Sequence, residues 1–120
     1  MESMRSSPIN SIVFISADVR SKPPEHVYGA LIGYNETCVS VGCYPSDDGE
    51  TEFFLGRSDE FATEGEIVFD GTIETPTGSL MISTVDGEVL LEQAVPSTRT
   101  RVRVRVNHPK WPDQVIIGWG

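Results

Sequence analysis

The sequence predicts an all-β protein, an antiparallel β-sandwich of about eight or nine strands. Short runs rich in Val, Ile, Thr and aromatic residues recur about every 10 to 12 residues, and Gly, Pro, Asn and Asp separate them. Only the window Ser58–Glu64 has a helical signal, because Ser58 can cap a first turn rich in acids before Gly65 ends it. We therefore expect at most one short helical turn.

Nine segments have the composition and length of strands. In chain order they are Ser11–Val19, Val27–Tyr34, Cys38–Tyr44, Thr51–Gly56, Glu66–Glu74, Ser79–Val85, Glu88–Val95, Thr100–Asn107 and Gln114–Trp119. The residues between them favour turns, as at Asp86-Gly87 and Pro96-Ser97. The first eight residues, through Pro8, have no such pattern, and we expect residues 1–8 to be a loose N-terminal end.

Length and composition predict a single domain over residues 1–120. The chain has 120 residues, 38% of them apolar and 22% charged, as in ordinary globular proteins. Its longest uninterrupted apolar stretch, Ile12–Ile15, falls far short of the roughly 20 residues of a membrane span, and no signal peptide is recognisable at its start. We expect a cytoplasmic protein that does not bind membranes.

Two turns predict a three-stranded meander over residues 79–107. Asp86-Gly87 is a strong hairpin signal for a type I′ turn and would place Ile82 opposite Leu91. A second tight turn at Pro96-Ser97 would place Leu91 opposite Val102. One face of the meander would then be buried, and it comprises Leu80, Ile82, Val89, Leu91, Val102 and Val104.

Four arginines alternate with Thr and Val along the last strand of this meander. Arg99, Arg101, Arg103 and Arg105 would share one face, about 6.6 Å apart. Such a row can bind nucleic acid or an acidic partner. The predicted register instead gives Arg101 and Arg105 the cross-strand partners Glu92 and Glu88, so we favour a salt-bridged outer face that also prevents edge pairing.

The two cysteines can be zinc ligands or buried thiols. Cys38 and Cys43 are five positions apart, which places them on opposite faces of a regular strand. His26 and His108 complete the residue types of a zinc site, but no paired ligand spacing is present. We therefore expect two buried reduced thiols, no metal and no cofactor.

The charge is strongly segregated along the chain. Residues 47–92 contain thirteen of the 18 acids and a single base, and the whole chain has a net charge of −9. This charge repels phosphate backbones, which argues against direct nucleic-acid binding and favours a basic protein partner. The candidate partner-binding residues are Asp47, Asp48, Glu50, Glu52, Asp59, Glu60, Glu64 and Glu66. A purely solvated surface is the alternative, and the spacing does not match a calcium loop.

The sequence has no sign of catalysis. It contains no Gly-rich phosphate loop, no Gly-x-Ser-x-Gly motif and no His-Glu-x-x-His motif, and it has only two histidines. We expect a protein that is not an enzyme.

The C-terminal half resembles the β-rich layout of ComJ-like competence nuclease inhibitors and of some bacterial toxin-immunity proteins. The segments that carry the resemblance are Thr75-Pro76-Thr77-Gly78-Ser79-Leu80, Ser83-Thr84-Val85-Asp86-Gly87-Glu88, Val95-Pro96 and Arg101-Val102-Arg103-Val104. The resemblance implies a small, acidic, cytoplasmic bacterial protein that neutralises a cognate nuclease, deaminase or similar toxin by covering its active site.

Two other classes of function remain open. A non-catalytic accessory or structural module would use the arginine strand or an exposed sheet edge as its contact with a larger assembly. A small-molecule binding barrel would need one cavity lined by the aromatic residues Trp111, Trp119, Tyr28 and Tyr34. Such aromatics more often belong to the core or to its rim.

Overall fold

The computed structural model describes residues 1–25, 27, 29–61 and 65–120. Across these residues it has ten β-strands and two single turns of 3-10 helix, so the predicted all-β class is confirmed. The strands are β1 (Glu2–Ser6), β2 (Ile12–Ser16), β3 (Ile32–Tyr34), β4 (Cys38–Gly42), β5 (Thr51–Arg57), β6 (Glu66–Glu74), β7 (Ser79–Ser83), β8 (Val89–Ala94), β9 (Arg99–Val106) and β10 (Gln114–Trp119).

The strands form two five-stranded sheets. Sheet A has the order β1-β5-β10-β9-β6, and sheet B has the order β3-β4-β2-β7-β8. All neighbours are antiparallel except β5 and β10, which run parallel. The prediction of a wholly antiparallel sandwich is therefore wrong at this one pair. The strand count of ten also exceeds the predicted eight or nine.

The additional strand is β1, in the segment that we expected to be a loose end. Its five residues pair with β5 in continuous register, from Glu2 opposite Leu55 to Ser6 opposite Thr51. The side chain of Gln93 further donates to Glu2 at 3.1 Å. Nearly every side chain of β1 is exposed, so this edge strand is held by its main chain and has no hydrophobic alternation to reveal it.

The helical segments also differ from expectation. Ser58–Glu60 forms one 3-10 turn within the predicted window, and a second turn lies at Ile9–Ser11. In the second turn, Asn10 and Ser11 adopt positive φ values of 62° and 54°. Helix propensity does not predict this backbone conformation, so the turn at Ile9–Ser11 could not be recognised from the sequence.

The β7–β8 hairpin is confirmed, although its turn differs. Ile82 lies opposite Leu91, as predicted. The amide of Gly87 donates to Thr84 at 3.0 Å, and among the residues of this turn Gly87 alone has a positive φ, so the turn is not type I′. The register then shifts so that Ser83 pairs with Val89, and Val89 is 42% exposed instead of buried.

The predicted third strand of the meander is in the other sheet. β9 lies between β10 and β6 in sheet A, so Pro96-Ser97 does not join two paired strands. The cross-strand pairs Arg101–Glu92 and Arg105–Glu88 are consequently wrong. The chain separates here because Val95 donates to Gly78 beside β7, whereas Thr98 accepts from Thr75 at the end of β6.

One hydrophobic core fills the space between the sheets. Five of the six predicted core residues, Leu80, Ile82, Leu91, Val102 and Val104, are buried in it, with Leu91 in sheet B and Val102 in sheet A, and Val89 is the exception. Tyr34 and Phe69 close one side of the sandwich, where their ring centroids are 5.3 Å apart. Among the described residues, no helix has the length and apolar character to span a membrane.

Candidate binding surfaces

Two loops join at the end of the sandwich where β5 begins. The amide of Tyr44 donates to the carbonyl of Pro112, and the amide of Glu52 donates to the carbonyl of Asp113, both at 2.8 Å. Asp113 also accepts a hydrogen bond from the side chain of Asn107 at 2.5 Å. The loops 43–50 and 107–113 therefore form one hydrogen-bonded platform, which we call the acidic end.

The acids of this end project from a fixed turn. Asp48 donates its amide to Pro45 at 2.9 Å, and the amide of Ser46 donates to the Ser11 hydroxyl at 3.0 Å. Asp47, Asp48 and Glu50 are exposed to solvent. The turn presents their carboxylates outward, where they add to one negative potential.

Glu52 and Glu66 lie at the same end of sheet A but on different strands. Glu52 approaches Arg5 of β1 at 3.9 Å, a distance that leaves the pair loose. Glu66 begins β6 and is level with Phe53, three strands away, which is about 14 Å. Glu64 lies outside the described residues.

Asp59 and Glu60 are at the opposite end, so the predicted set does not form one surface. Strand β5 separates them from Glu50 by about 20 Å or more. Glu60 accepts hydrogen bonds from the Arg57 amide at 2.9 Å and from the N-terminal ammonium of Met1 at 3.0 Å. These bonds, the Arg57 amide first, lower the pKa of Glu60 below its ordinary value. Its carboxylate thus connects the N-terminus to the 3-10 turn Ser58–Glu60.

An exposed tryptophan belongs to the acidic end and was not among the predicted binding residues. Trp111 is 55% exposed, and the ammonium of Lys110 lies 5.6 Å from its ring centroid. The imidazole Nδ1 of His108 accepts from the amides of Lys110 and Trp111 at 3.1 and 3.0 Å, which fixes the loop. In the sequence, the polar turn residues around Trp111 indicate that it lies in a surface loop. They do not indicate that this loop meets the loop 43–50.

The three described aromatics of the proposed barrel cavity, Trp111, Trp119 and Tyr34, are not brought together. Trp119 donates its indole N–H to Gln93 at 2.8 Å near the other end of the sandwich. Tyr34 is at the side, beside Phe69, and Tyr28 lies outside the described residues. Nothing in this arrangement favours the small-molecule barrel.

The arginine row occupies the outer face of sheet A. Asp70 of β6 accepts two hydrogen bonds from Arg101, and its carboxylate lies 3.4 Å from Arg103 Nε. Arg103 and Arg105 lie beneath the segment Ser58–Phe61, which folds back over the sheet. Arg101 and Arg103 are therefore paired with Asp70 and not with the predicted glutamates, and the row does not guard an edge because β9 has a neighbour on both sides.

Both cysteines are buried, and they do not form a disulfide. Burial raises the pKa of Cys38 to about 12 and that of Cys43 to about 11. Of the proposed zinc ligands, His26 lies outside the described residues. Within the described part of the chain, no group of three or more His, Cys, Asp or Glu side chains is placed to hold a metal ion.

A scan against models of protein families and searches of curated proteins and of solved structures found no protein similar to this chain. The argument for function therefore depends on the surface itself. The acidic end is the part of the described surface where several carboxylates, an exposed aromatic side chain and a rigid main chain coincide.

Proposed function

We propose that the protein is a stoichiometric inhibitor, an immunity protein that binds and occludes the active site of a basic bacterial toxin domain that acts on nucleic acid. The observation that carries this proposal is the acidic end, where Asp47, Asp48 and Glu50 project from a fixed turn beside Trp111. The sequence pattern of the C-terminal half, which resembles that of toxin-immunity proteins, suggests the same class.

The mechanism requires no chemistry from the inhibitor. A cleft that binds a phosphate backbone is positively charged, and clustered carboxylates on a rigid turn present the complementary potential. They would accelerate encounter and orient the two proteins. Trp111 would then supply the apolar contact area that charge alone does not, since tryptophan is enriched among the residues that dominate binding energy. Bound in this way, the inhibitor would exclude the substrate from the cleft.

The test is first whether a neighbouring gene encodes a protein with a basic toxin domain, and then association kinetics with that domain; the absence of such a gene would overturn the proposal. The variant D47N/D48N/E50Q/E52Q removes three charges from the acidic end and the charge of Glu52, which lies next to it in β5. The matched control E2Q/E36Q/D59N/E74Q removes four exposed charges elsewhere, so both variants have the same net charge. We expect the first variant to lower the on-rate about tenfold or more at low salt and the control to lower it much less.

Salt dependence provides a second readout. The Debye length falls from about 30 Å at 0.01 M to about 8 Å at 0.15 M, so the on-rate of the unchanged protein should fall steeply over this range. An on-rate that responds to neither salt nor the four substitutions of the first variant would remove this surface from the mechanism. If reversal of charge at Arg101 and Arg103 abolished binding instead, the accessory-module hypothesis would replace the inhibitor.

A further inference from the structure

A trough crosses the outer face of sheet B along β2. Three cavities of about 150, 440 and 550 Å³ follow one another along this strand. The first two share Phe14, Pro23 and Val85, and the second and third share Asn10 and Ile12. The shared lining residues therefore place the three cavities in one row, from Ser16 to Trp111.

Small side chains create this depression. In the register of sheet B, the outward-facing Phe14 has Ser40 of β4 on one side and Ser83 of β7 on the other. Ile12 is opposite Gly42. Serine and glycine leave a low floor beside the larger β2 residues, which are only partly buried.

The rims of the trough are apolar and exposed. Val19 and Val85 stand on either side at one end, 44% and 47% exposed, and Trp111 stands at the other end. Exposed apolar side chains around a concave surface are typical of a binding groove.

Acids lie at both ends of the trough. Asp47 and Asp48 follow Pro45, which lines the cavity beside Trp111. Asp86 follows Val85 in the β7–β8 turn, with Glu88 exposed two residues later. Lys110 lines the trough near Trp111, and at the Val85 end Arg20 and Lys22 alternate with the lining residues Val19, Ser21 and Pro23. The excess of negative charge is therefore at the Trp111 end, which suits a cationic group of the occupant.

We propose that this trough binds an extended segment of the basic partner protein, a segment that presents apolar side chains to the floor and Lys or Arg side chains to the end beside Trp111. This inference rests on the proposed function, because it assigns to the same partner a second contact that continues from the acidic end. From Asn10 to Ser16 the trough runs about 20 Å, the length of about six extended residues. The length and open ends favour a peptide chain over a compact small molecule.

The trough explains how a partner could bind tightly as well as quickly. Charges at the acidic end mainly raise the rate of encounter, whereas burial of apolar side chains against Ile12 and Phe14 would slow dissociation. Substitutions in the trough should therefore change the off-rate, and substitutions of the acids should change the on-rate. This division separates the two proposals experimentally.

The test uses a bulky substitution at the rim. V85W would block the trough, and V89W is the matched control, because Val89 has similar exposure but does not line the trough. We expect V85W to raise the off-rate of the neighbouring gene's toxin domain about tenfold or more, with little change in on-rate, and V89W to change neither. W111A should raise the off-rate as well.

A peptide probe tests the occupant directly. The probe is a fluorescein-labelled octapeptide of alternating Lys and Val, compared with peptides in which Glu replaces Lys or Ser replaces Val. Saturable binding of the Lys-Val peptide alone, lost in V85W and kept in V89W, would support the trough. Equal binding by V85W and V89W, or preference for the Glu-Val peptide, would overturn the inference while leaving the kinetic test of the acidic end unaffected.

Discussion

Asp70 of β6 binds Arg101 of β9 through both carboxylate oxygens, with N···O distances of 2.9 and 2.8 Å. The hydrogen bonds from Arg101, with a smaller contribution from Arg103, hold the pKa of Asp70 below its ordinary value. About a third of the Asp70 side chain is in contact with solvent, so water screens the pair. The pair joins the two strands on the outer face of sheet A.

Substitution D70N should lower the free energy of unfolding by about 1 kcal/mol at pH 7. Because the folded-state pKa of Asp70 is depressed, its contribution is present above the unfolded value of about 4 and is lost as the pH falls. Urea melts of D70N and the unchanged protein should therefore converge towards pH 3. E74Q, on the same strand, should have little effect at either pH, and an equally large loss there would contradict a specific role for the Asp70–Arg101 pair.

Truncation of Leu91 tests the hydrophobic core. Leu91 is buried opposite Ile82 in sheet B, so L91A should lower the free energy of unfolding by about 2 to 5 kcal/mol. V89A, on the same strand, removes an exposed side chain and should cost about 0.5 kcal/mol or less. Chemical denaturation of both variants measures the difference, and similar losses would show that Leu91 is not buried as described.

The buried thiols should make the fold sensitive to alkali. Burial raises both thiol pKa values, so the folded protein retains protons that the unfolded chain loses above about pH 8.5. Their stabilising contribution is complete below that pH and is lost as the pH rises towards the folded-state values. C38A should show a flatter decline of stability between pH 8 and pH 10.5 than the unchanged protein. Parallel pH profiles for the two proteins would contradict this.

The alternation of apolar residues correctly predicted most of the buried strand faces. It was less successful in predicting which strands are neighbours. Leu91 and Val102 are both in the core, as expected, but they belong to different sheets. Alternation shows only that one side of a strand is apolar. It does not show whether two such strands pair within one sheet or face each other from opposite sheets. The choice was made by main-chain contacts distant in sequence, such as the amide of Thr75 with the carbonyl of Thr98.

The candidate surface was predicted only in part, for a similar reason. Asp47, Asp48 and Glu50 are adjacent in sequence, so a single turn was enough to bring them together. Asp59 is close in sequence as well, but an intervening strand separates it from them. Trp111 reaches the acidic end through the pairing of Tyr44 with Pro112, a contact between residues 68 positions apart that no local pattern encodes.

The position of β10 determines when sheet A can be completed during synthesis. Sheet B contains no strand beyond Ala94, so all its strands exist while the ribosome is still making β9. Sheet A has β10 at its centre, and until Gln114–Trp119 emerges, β5 and β9 each lack the neighbour that joins them. Before Gln114–Trp119 emerges, the nascent chain therefore holds two strands that each lack one neighbour and that each have one apolar face, a state prone to aggregation.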